Sequence, residues 1–171
     1  MALSAKLQKA ISEQINAEFY SSYLYLAMAV HLTEKNMPGC AHWMRMQAQE
    51  EVAHAMKFYS YINDRRGRIL MKEIKCPPAE WESALDAFQD AFAHEQEVTR
   101  RINALVDLAL EEKDHNTNSF LKWFVDEQVE EEASVDEVVQ KLKLIGGDGG
   151  GLFMVDQELG QRTFTPPAAE E

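Results

Sequence analysis

The chain has 171 residues, 46% of them hydrophobic, which is enough for one globular domain with a sizeable core. Its formal net charge of -12 argues against a nucleic-acid partner, because binding to phosphates needs clustered Lys and Arg. No apolar run is long enough to span a membrane, and Cys40 and Cys76 lack the spacing of a zinc site or a disulfide framework. We expect a cytoplasmic protein, whose acidity suits cations but is equally typical of solvated helix faces.

Helix-forming residues and their breakers predict the first two long helices. The first covers residues 4–32, which contain no Gly or Pro. The second begins at Pro38, a residue suited to a first helical turn, and continues to Arg66 before Gly67. A short connection of this kind favours an antiparallel pair.

Two further long helices are predicted in the second half of the chain. The third covers about residues 83–112, with Ser83 and Asp86 resembling a capping pair. The fourth begins near residue 116 or 117 and ends before Gly146, because glycine easily adopts the left-handed conformation of a helix cap. These two helices are also expected to pair antiparallel.

The C-terminal region is predicted to hold one short helix and a tail. Residues 149–151 are three glycines that we interpret as a flexible hinge, and residues 152–160 form a short fifth helix whose packing partner the pattern leaves open. Residues 161–171 contain prolines and acidic ends and are expected to be poorly ordered. The predicted domain is therefore 1–160, followed by a flexible tail at 161–171.

The connection between the second and third helices decides the topology. Residues 67–81 can reach roughly 50 Å when extended, whereas the second helix is roughly 43 Å long. One crossover can therefore traverse the bundle, so the second and third helices are predicted to run parallel.

Polar residues interrupt the inward seam of every predicted helix. Steps of three and four residues along the helices place the following side chains in the seams: Glu18 in the first, Gln47, Glu51 and His54 in the second, Glu95 in the third, and Gln128 and Glu131 in the fourth. The third seam is predicted as Leu85, Phe88, Phe92, Glu95, Thr99, Ile102 and Val106.

Four carboxylates in one apolar interior would each destabilise the fold by several kcal/mol unless something compensates their charge. The seams contain no Lys or Arg, so the acids are either protonated or bound to metal ions. Any single member could instead be a solvent-facing Glu or a structural His. Their coincidence on four helices favours two metals, and carboxylates with one imidazole suit Fe(II) with positions left open for O2.

Four segments carry a family resemblance: QINAEFYSSYLY at 14–25, QEEVAH at 49–54, HEQ at 94–96 and DEQVEEE at 126–132. Over residues 3–159 the chain resembles the prokaryotic haem-free ferritins. The resemblance implies an all-α, ferritin-like four-helix bundle with one long crossover between the second and third helices, plus a short C-terminal fifth helix.

The resemblance also implies a di-iron centre. One iron would bind Glu18, Glu51 and His54, and the other would bind Glu51, Glu95 and Glu131, with Glu51 as the bridge.

Further roles follow from the same resemblance. Gln128 would lie beside the oxygen-binding pocket, and Tyr25 would hydrogen-bond to the site and donate an electron, although core packing explains Tyr25 equally well. Glu50, Glu127 and Glu130 match the ligands of a third iron site, or are solvated surface charges.

Two departures separate the chain from neighbouring families. Bacterioferritins carry a haem-ligating methionine where this chain has Val52, and a second Glu-x-x-His where it has Gln128-x-x-Glu131. Rubrerythrins usually add a Cys-rich iron domain, which two cysteines cannot supply. We therefore expect no haem.

The expected function is iron storage with ferroxidase activity. Such a subunit oxidises Fe(II) with O2 or H2O2 and deposits ferric oxyhydroxide inside a homo-oligomeric shell of about 24 subunits. The alternatives are a di-iron peroxidase or oxygenase on the same bundle that stores no iron, and a structural helical assembly with vestigial acids.

Overall fold

Five α-helices make up the computed structural model, which describes residues 3–166 and contains no strand within them. The helices are α1 (Ala5–Glu34), α2 (Pro38–Asp64), α3 (Ala84–Glu111), α4 (His115–Ile145) and α5 (Gly149–Leu159). Across this described part, no helix is both long and apolar enough to cross a membrane. The predicted all-α bundle with a short fifth helix is confirmed.

Side-chain caps explain where three of the four long helices begin. Ser4, Ser83 and Asp114 each accept a hydrogen bond from the backbone N–H three residues later, at 3.2, 3.1 and 3.0 Å. A cap of this type contributes about 1 kcal/mol. The predicted cap at Ser83 is confirmed, but Asp86 accepts from the N–H of Glu82 at 3.0 Å rather than from Ser83.

The helix ends depend on residues with positive φ. Asn36, Arg66 and Lys113 adopt φ of 59°, 55° and 54°, and the next N–H returns to the carbonyl five residues earlier. Because Arg66 occupies this left-handed position, α2 ends at Asp64, two residues before the predicted end. Gly146 has φ of 57°, as expected of a glycine cap, but its ψ of -128° lies outside the left-handed helical region.

Contacts between the helices establish the topology. Tyr25 lies against Glu95 while Lys6 pairs with Glu111, so α1 and α3 are antiparallel. The tight turn at residues 35–37 makes α1 and α2 antiparallel as well. It follows that α2 and α3 run parallel, which confirms the predicted long crossover.

The crossover, residues 65–83, lies along α1. Successive backbone groups of the crossover form hydrogen bonds of 2.8 to 3.2 Å with the side chains of Gln8, Ser12 and Asn16. At its far end Trp81 packs edge-on against His31, with ring centroids 5.5 Å apart. The segment therefore traverses the bundle without helical structure of its own.

Two apolar clusters form the core, one at each end of the bundle, with a polar layer between them. The polar seam residues predicted for the first, second and fourth helices are all buried: Glu18, Gln47, Glu51, His54, Gln128 and Glu131. The third seam was partly wrong, because Leu85, Phe92, Thr99 and Val106 are only half-buried. The buried stripe of α3 instead includes four alanines together with Val98 and Leu105: Ala84, Ala87, Ala91 and Ala109 are the alanines.

The short helix α5 docks on the start of α2, which has no side-chain cap of its own at Met37. The Asp156 carboxylate accepts a hydrogen bond from the backbone N–H of Cys40 at 2.8 Å, so α5 supplies the missing cap. A Cβ atom at position 39 would collide with the carbonyl oxygen of Asp156. Gly39 therefore allows the close approach of the two backbones.

The glycines at residues 149–151 are helical, which contradicts the predicted hinge. They form the first turn of α5, and the Asp148 carboxylate caps them by accepting from the N–H of Gly151 at 2.6 Å. Lys141 of α4 ties the helix down further through Glu158 at 2.6 Å. The cap and the tertiary contacts overcome the weak helix propensity of glycine.

We expect Asp156→Ala to destabilise the protein by about 2 kcal/mol, because it leaves the first turn of α2 uncapped. The guanidinium midpoint of the metal-free protein measures the change. Gln157→Ala is the matched control, since it removes an exposed side chain from the same helix and leaves the ion pair of Glu158 with Lys141 intact. Equal effects of the two substitutions would show that the distant cap contributes nothing.

Candidate metal centre

A layer of buried polar side chains lies between the two apolar clusters. Its members come from all four long helices and are at most 4% exposed: Gln14, Glu18, Gln47, Glu51, His54, Glu95, Gln128 and Glu131. Among the described residues, no Lys or Arg is classed as buried. The acids therefore have no Lys or Arg as a counter-cation inside the layer.

The structure brings Glu18, Glu51 and His54 together. Each offers one ligand atom, and these atoms lie within 4.8 Å of one another. The three-residue spacing of Glu51 and His54 on α2 places both side chains on one face, with His54 Nδ1 3.5 Å from Glu51 Oε2. This is the residue set predicted for the first iron.

The second predicted set is arranged less closely. Within residues 3–166, Glu131 joins a compact ligand group with His54 and Glu127, whereas Glu95 joins none. The two carboxylate oxygens of Glu95 are occupied by protein donors, since the Tyr25 hydroxyl donates to one and Gln128 Nε2 to the other at 3.3 Å. Because Tyr25 lies on α1 and Gln128 on α4, the Glu95 carboxylate is hydrogen-bonded to both of these helices.

Two carboxylate oxygens in the layer lack any hydrogen-bond partner. They are Glu18 Oε2 and Glu131 Oε1, both fully enclosed by protein. A buried acceptor without a partner destabilises the fold. An ionised carboxylate can only accept hydrogen bonds, so the neighbouring acids cannot satisfy these oxygens unless they are protonated. Such orphaned oxygens are the atoms that a bound cation would use, so the donor set fits a pair of dications.

Burial shifts the titration of all four acids in the same direction. It raises the pKa of Glu18 well above its usual range, with a further contribution from the charge of Glu51. Burial also raises the pKa of Glu51 and Glu131, and in both cases the Glu95 charge adds to the effect. The pKa of Glu95 is raised by burial, with partial relief from the Tyr25 hydrogen bond. Protons or dications must therefore accompany these groups.

Tyr25 and Gln128 both hydrogen-bond to Glu95. Tyr25 is fully buried, and burial raises the pKa of its hydroxyl well above the usual range, so it stays protonated and donates to Glu95. Its ring packs edge-on against His94 at 6.2 Å between centroids. Gln128 Nε2 also lies 3.2 Å from the Thr99 hydroxyl.

The acids predicted for a third iron are near one another but do not form a compact group. Glu127 is half-buried, and burial is the main cause that raises its pKa, with the charges of Glu50 and Glu130 adding to it. Glu50 instead pairs with Arg162 at 2.7 Å, and Glu130 is exposed.

Four residues around the centre had no predicted role. Gln14 and Gln47 hydrogen-bond to the buried acids, and Arg101 and Arg162 bond to these two glutamines. Gln47 was visible in the predicted seam of the second helix. The segment that contains Arg162 was expected to be poorly ordered, yet its side chain is only 18% exposed; residues 167–171 of that tail lie outside the described residues.

The geometry defines a class of protein: a four-helix bundle that gathers buried carboxylates and one imidazole into a centre suited to two metal ions. Comparison with known proteins agrees. The family model described as "Ferritin-like domain" matches residues 8–145. The chain belongs to the ferritin family, the iron-storage proteins.

Individual relatives span nearly the whole chain. The chain is 45% identical to the bacterial non-heme ferritin of Bacteroides fragilis (strain 638R), covering 94% of this chain and 99% of the relative. Identity to that of Staphylococcus aureus (strain MRSA252) is 41%, covering 95% and 98%.

Solved structures are equally similar. An engineered closed form of the Archaeoglobus fulgidus ferritin superimposes with a TM-score of 0.95 at 48% identity, covering 96% of this chain and 100% of that one. The open pore ferritin of the same organism gives 0.93 at 47% identity, covering 94% and 98%.

We expect Tyr25→Phe to slow Fe(II) oxidation about tenfold, because partners that orient metal ligands typically contribute 10–100-fold. The substitution removes only the hydroxyl that bonds to Glu95 and keeps the buried ring. Stopped-flow absorbance of ferric product measures the rate. Tyr59→Phe is the control, since Tyr59 lies on the neighbouring helix α2 and is 38% exposed. An unchanged rate in Tyr25→Phe would leave this tyrosine with a packing role alone.

Proposed function

We propose that this chain is an iron-storage subunit with ferroxidase activity. It oxidises Fe(II) with O2 or H2O2 and deposits ferric oxyhydroxide inside a hollow homo-oligomeric shell in the cytoplasm. The observation that carries the proposal is the unpaired acidic layer, in which two buried carboxylate oxygens have no partner and no Lys or Arg is buried beside them in the described residues.

Fe(II) is the substrate, and the charge of the centre suits two of these ions. Glu18, Glu51 and His54 would hold the first, while Glu51, Glu95 and Glu131 would hold the second, with Glu51 shared. Four ionised carboxylates balance the charge of two dications, so binding releases the protons that the raised pKa values retain in the empty centre. No haem takes part in the proposed reaction.

Electron transfer is followed by hydrolysis. Each Fe(II) gives one electron to the oxidant, and O2 that accepts two electrons and two protons leaves as H2O2. Fe(III) is the stronger Lewis acid, so its bound waters lose protons and ferric oxyhydroxide forms. Gln128 and Tyr25 both hydrogen-bond to Glu95; in the proposed reaction Gln128 would lie beside the bound oxidant and Tyr25 would supply a further electron.

A third iron at Glu50, Glu127 and Glu130 is part of the proposal. The half-buried Glu127 is close to His54 and Glu131, and its pKa is raised by burial and by the charges of Glu50 and Glu130, which supports a path for iron leaving the centre. Glu50 would have to leave Arg162, since its carboxylate is paired with that guanidinium at 2.7 Å. The third iron would therefore bind more weakly than the first two.

A shell is supported by exposed apolar side chains that a lone subunit would leave in water. On α1 these include Tyr23 and Val30, 51% and 61% exposed, and on α5 Phe153 and Met154, 65% and 73% exposed. Surfaces of this kind are typical of interfaces between subunits. About 24 copies with a formal charge of -12 each would also attract cations strongly.

Aerobic Fe(II) loading tests the function. The protein is expected to elute as a large assembly, to oxidise Fe(II) faster than buffer does, and to show electron-dense cores with many irons per subunit. Peroxide turnover with only a few irons per subunit would favour a di-iron peroxidase or oxygenase instead. A monomer or dimer without Fe(II) binding would leave only a structural role.

A further inference from the structure

Arg162, three residues beyond the end of α5, packs tightly against α2. Its guanidinium lies 4.1 Å from the centre of the Trp43 ring, and its Nη2 donates to Gln47 Oε1 at 2.6 Å and to Glu50 Oε2 at 2.7 Å. Its carbonyl oxygen accepts from His42 Nε2 at 2.7 Å. Both the backbone and the side chain of this residue are therefore held in place.

These contacts decide which way the Gln47 amide faces. A guanidinium can only donate hydrogen bonds, so the amide atom beside Arg162 must be the oxygen. The amide nitrogen consequently faces the acidic layer, where it donates to Glu51 Oε1 at 3.0 Å and to Glu131 Oε2 at 2.7 Å. One amide thus links a ligand on α2 to a ligand on α4.

The opposite side of the layer repeats the same arrangement. Arg101 Nε donates to Gln14 Oε1 at 3.0 Å, and Gln14 Nε2 donates to Glu18 Oε1 at 2.8 Å. In both cases an arginine outside the layer orients a glutamine, and the glutamine orients buried carboxylates. Two glutamines on different helices are therefore oriented in the same way, each with its amide nitrogen toward the buried carboxylates.

We propose that Arg162 is a positioning residue of the metal centre, acting through Gln47 to hold Glu51 and Glu131 in a geometry that binds dications. The inference rests on the proposed function only in that the centre binds metal ions. The segment after α5 would then contribute to the centre although none of its residues is a ligand.

Electrostatics alone predicts that removing Arg162 strengthens metal binding, which is opposite to the effect expected of a positioning residue. A cation near the centre repels dications and also occupies Glu50, so deleting its charge should tighten metal binding. Loss of ligand positioning should weaken binding instead, and outer partners of this kind typically contribute 10–100-fold in affinity. The sign of the change therefore separates the two roles.

Zn(II), which is redox-inert, is the probe, and isothermal titration calorimetry measures its affinity for the assembled protein. Arg162→Gln is expected to weaken the tightest sites about tenfold. Arg162→Lys should recover most of the affinity, because one ammonium group can donate to both Gln47 and Glu50. Lys141→Gln is the matched control, since it removes a cation that bonds α4 to α5 away from the centre. Unchanged or tighter binding in Arg162→Gln overturns the proposal.

A double-mutant cycle tests whether the effect passes through Gln47. In a Gln47→Leu background, Arg162→Gln is expected to change the Zn(II) affinity less than twofold. Fully additive losses would mean that Arg162 acts by another route and would overturn the proposal. A wild-type protein that binds Zn(II) but does not oxidise Fe(II) would contradict the ferroxidase function and leave this result standing, whereas one that binds no Zn(II) would refute both.

Discussion

Glu51→Gln is expected to slow Fe(II) oxidation by at least about 100-fold, beyond the 10–100-fold typical of residues that only orient ligands. Glu51 is 1% exposed, lies in the compact group with Glu18 and His54, and is the residue proposed to bridge both irons. An amide keeps the shape of the side chain but removes the negative charge and one metal-binding oxygen. Stopped-flow measurement of ferric product at saturating Fe(II) gives the rate.

Glu97→Gln is the matched control, because Glu97 lies on α3 two residues beyond Glu95 and its side chain is 53% exposed. It should oxidise Fe(II) at the wild-type rate. Substitutions at Glu18 or His54 should mainly reduce binding of the first iron, leaving one equivalent in anaerobic titrations. A Glu51→Gln variant that retains the wild-type rate would contradict the assignment of the bridging ligand.

The metal-free protein is expected to become less stable as the pH is raised from about 5 to 8. Unfolded Glu titrates near pH 4.3, whereas burial raises the folded pKa of Glu18, Glu51, Glu95 and Glu131. The folded state therefore holds more protons than the unfolded state in this range, and stability falls with pH until the folded pKa values are passed.

Other groups do not reverse this trend. Asp114, whose pKa Arg65 lowers to about 2, contributes stability that is already essentially complete at pH 5. Burial lowers the pKa of His94, which favours the folded state as the pH rises through 6.5, but this is one group against four acids. The slope should accordingly stay negative.

Metal addition supplies the second half of this test. Anaerobic Fe(II) at 100 times its dissociation constant should restore about 2.7 kcal/mol per site at pH 8. Thermal unfolding across the pH range, with and without Fe(II), measures both effects, and Glu51→Gln should flatten the pH dependence. A metal-free protein that is as stable at pH 8 as at pH 5 would show that the acids are not buried together.

Local patterns predicted the helices well and failed where side-chain size or distant contacts decided the outcome. Pro38 and Ser83 mark helix starts because their effects on the backbone are local. The predicted seam of α3 was partly wrong because Leu85 and Phe92 are more hydrophobic than Ala84, Ala87 and Ala91. In the structure the three small alanines are buried and the two larger side chains are half-buried. The glycines at 149–151 became helical because Asp148 caps them.

Local residue patterns were sufficient to predict the helical bundle, its long crossover and the polar layer. These features follow from periodicity and connection length, which place Glu18, Glu51, His54, Glu95 and Glu131 on inward faces whatever the details of packing. Helix packing was needed to establish three further contacts: Glu95 with Tyr25, Glu127 with His54, and Arg162 with Gln47. Those contacts join residues from about 70 to more than 100 positions apart, and they depend on how the helices rotate and approach, which no local spacing records.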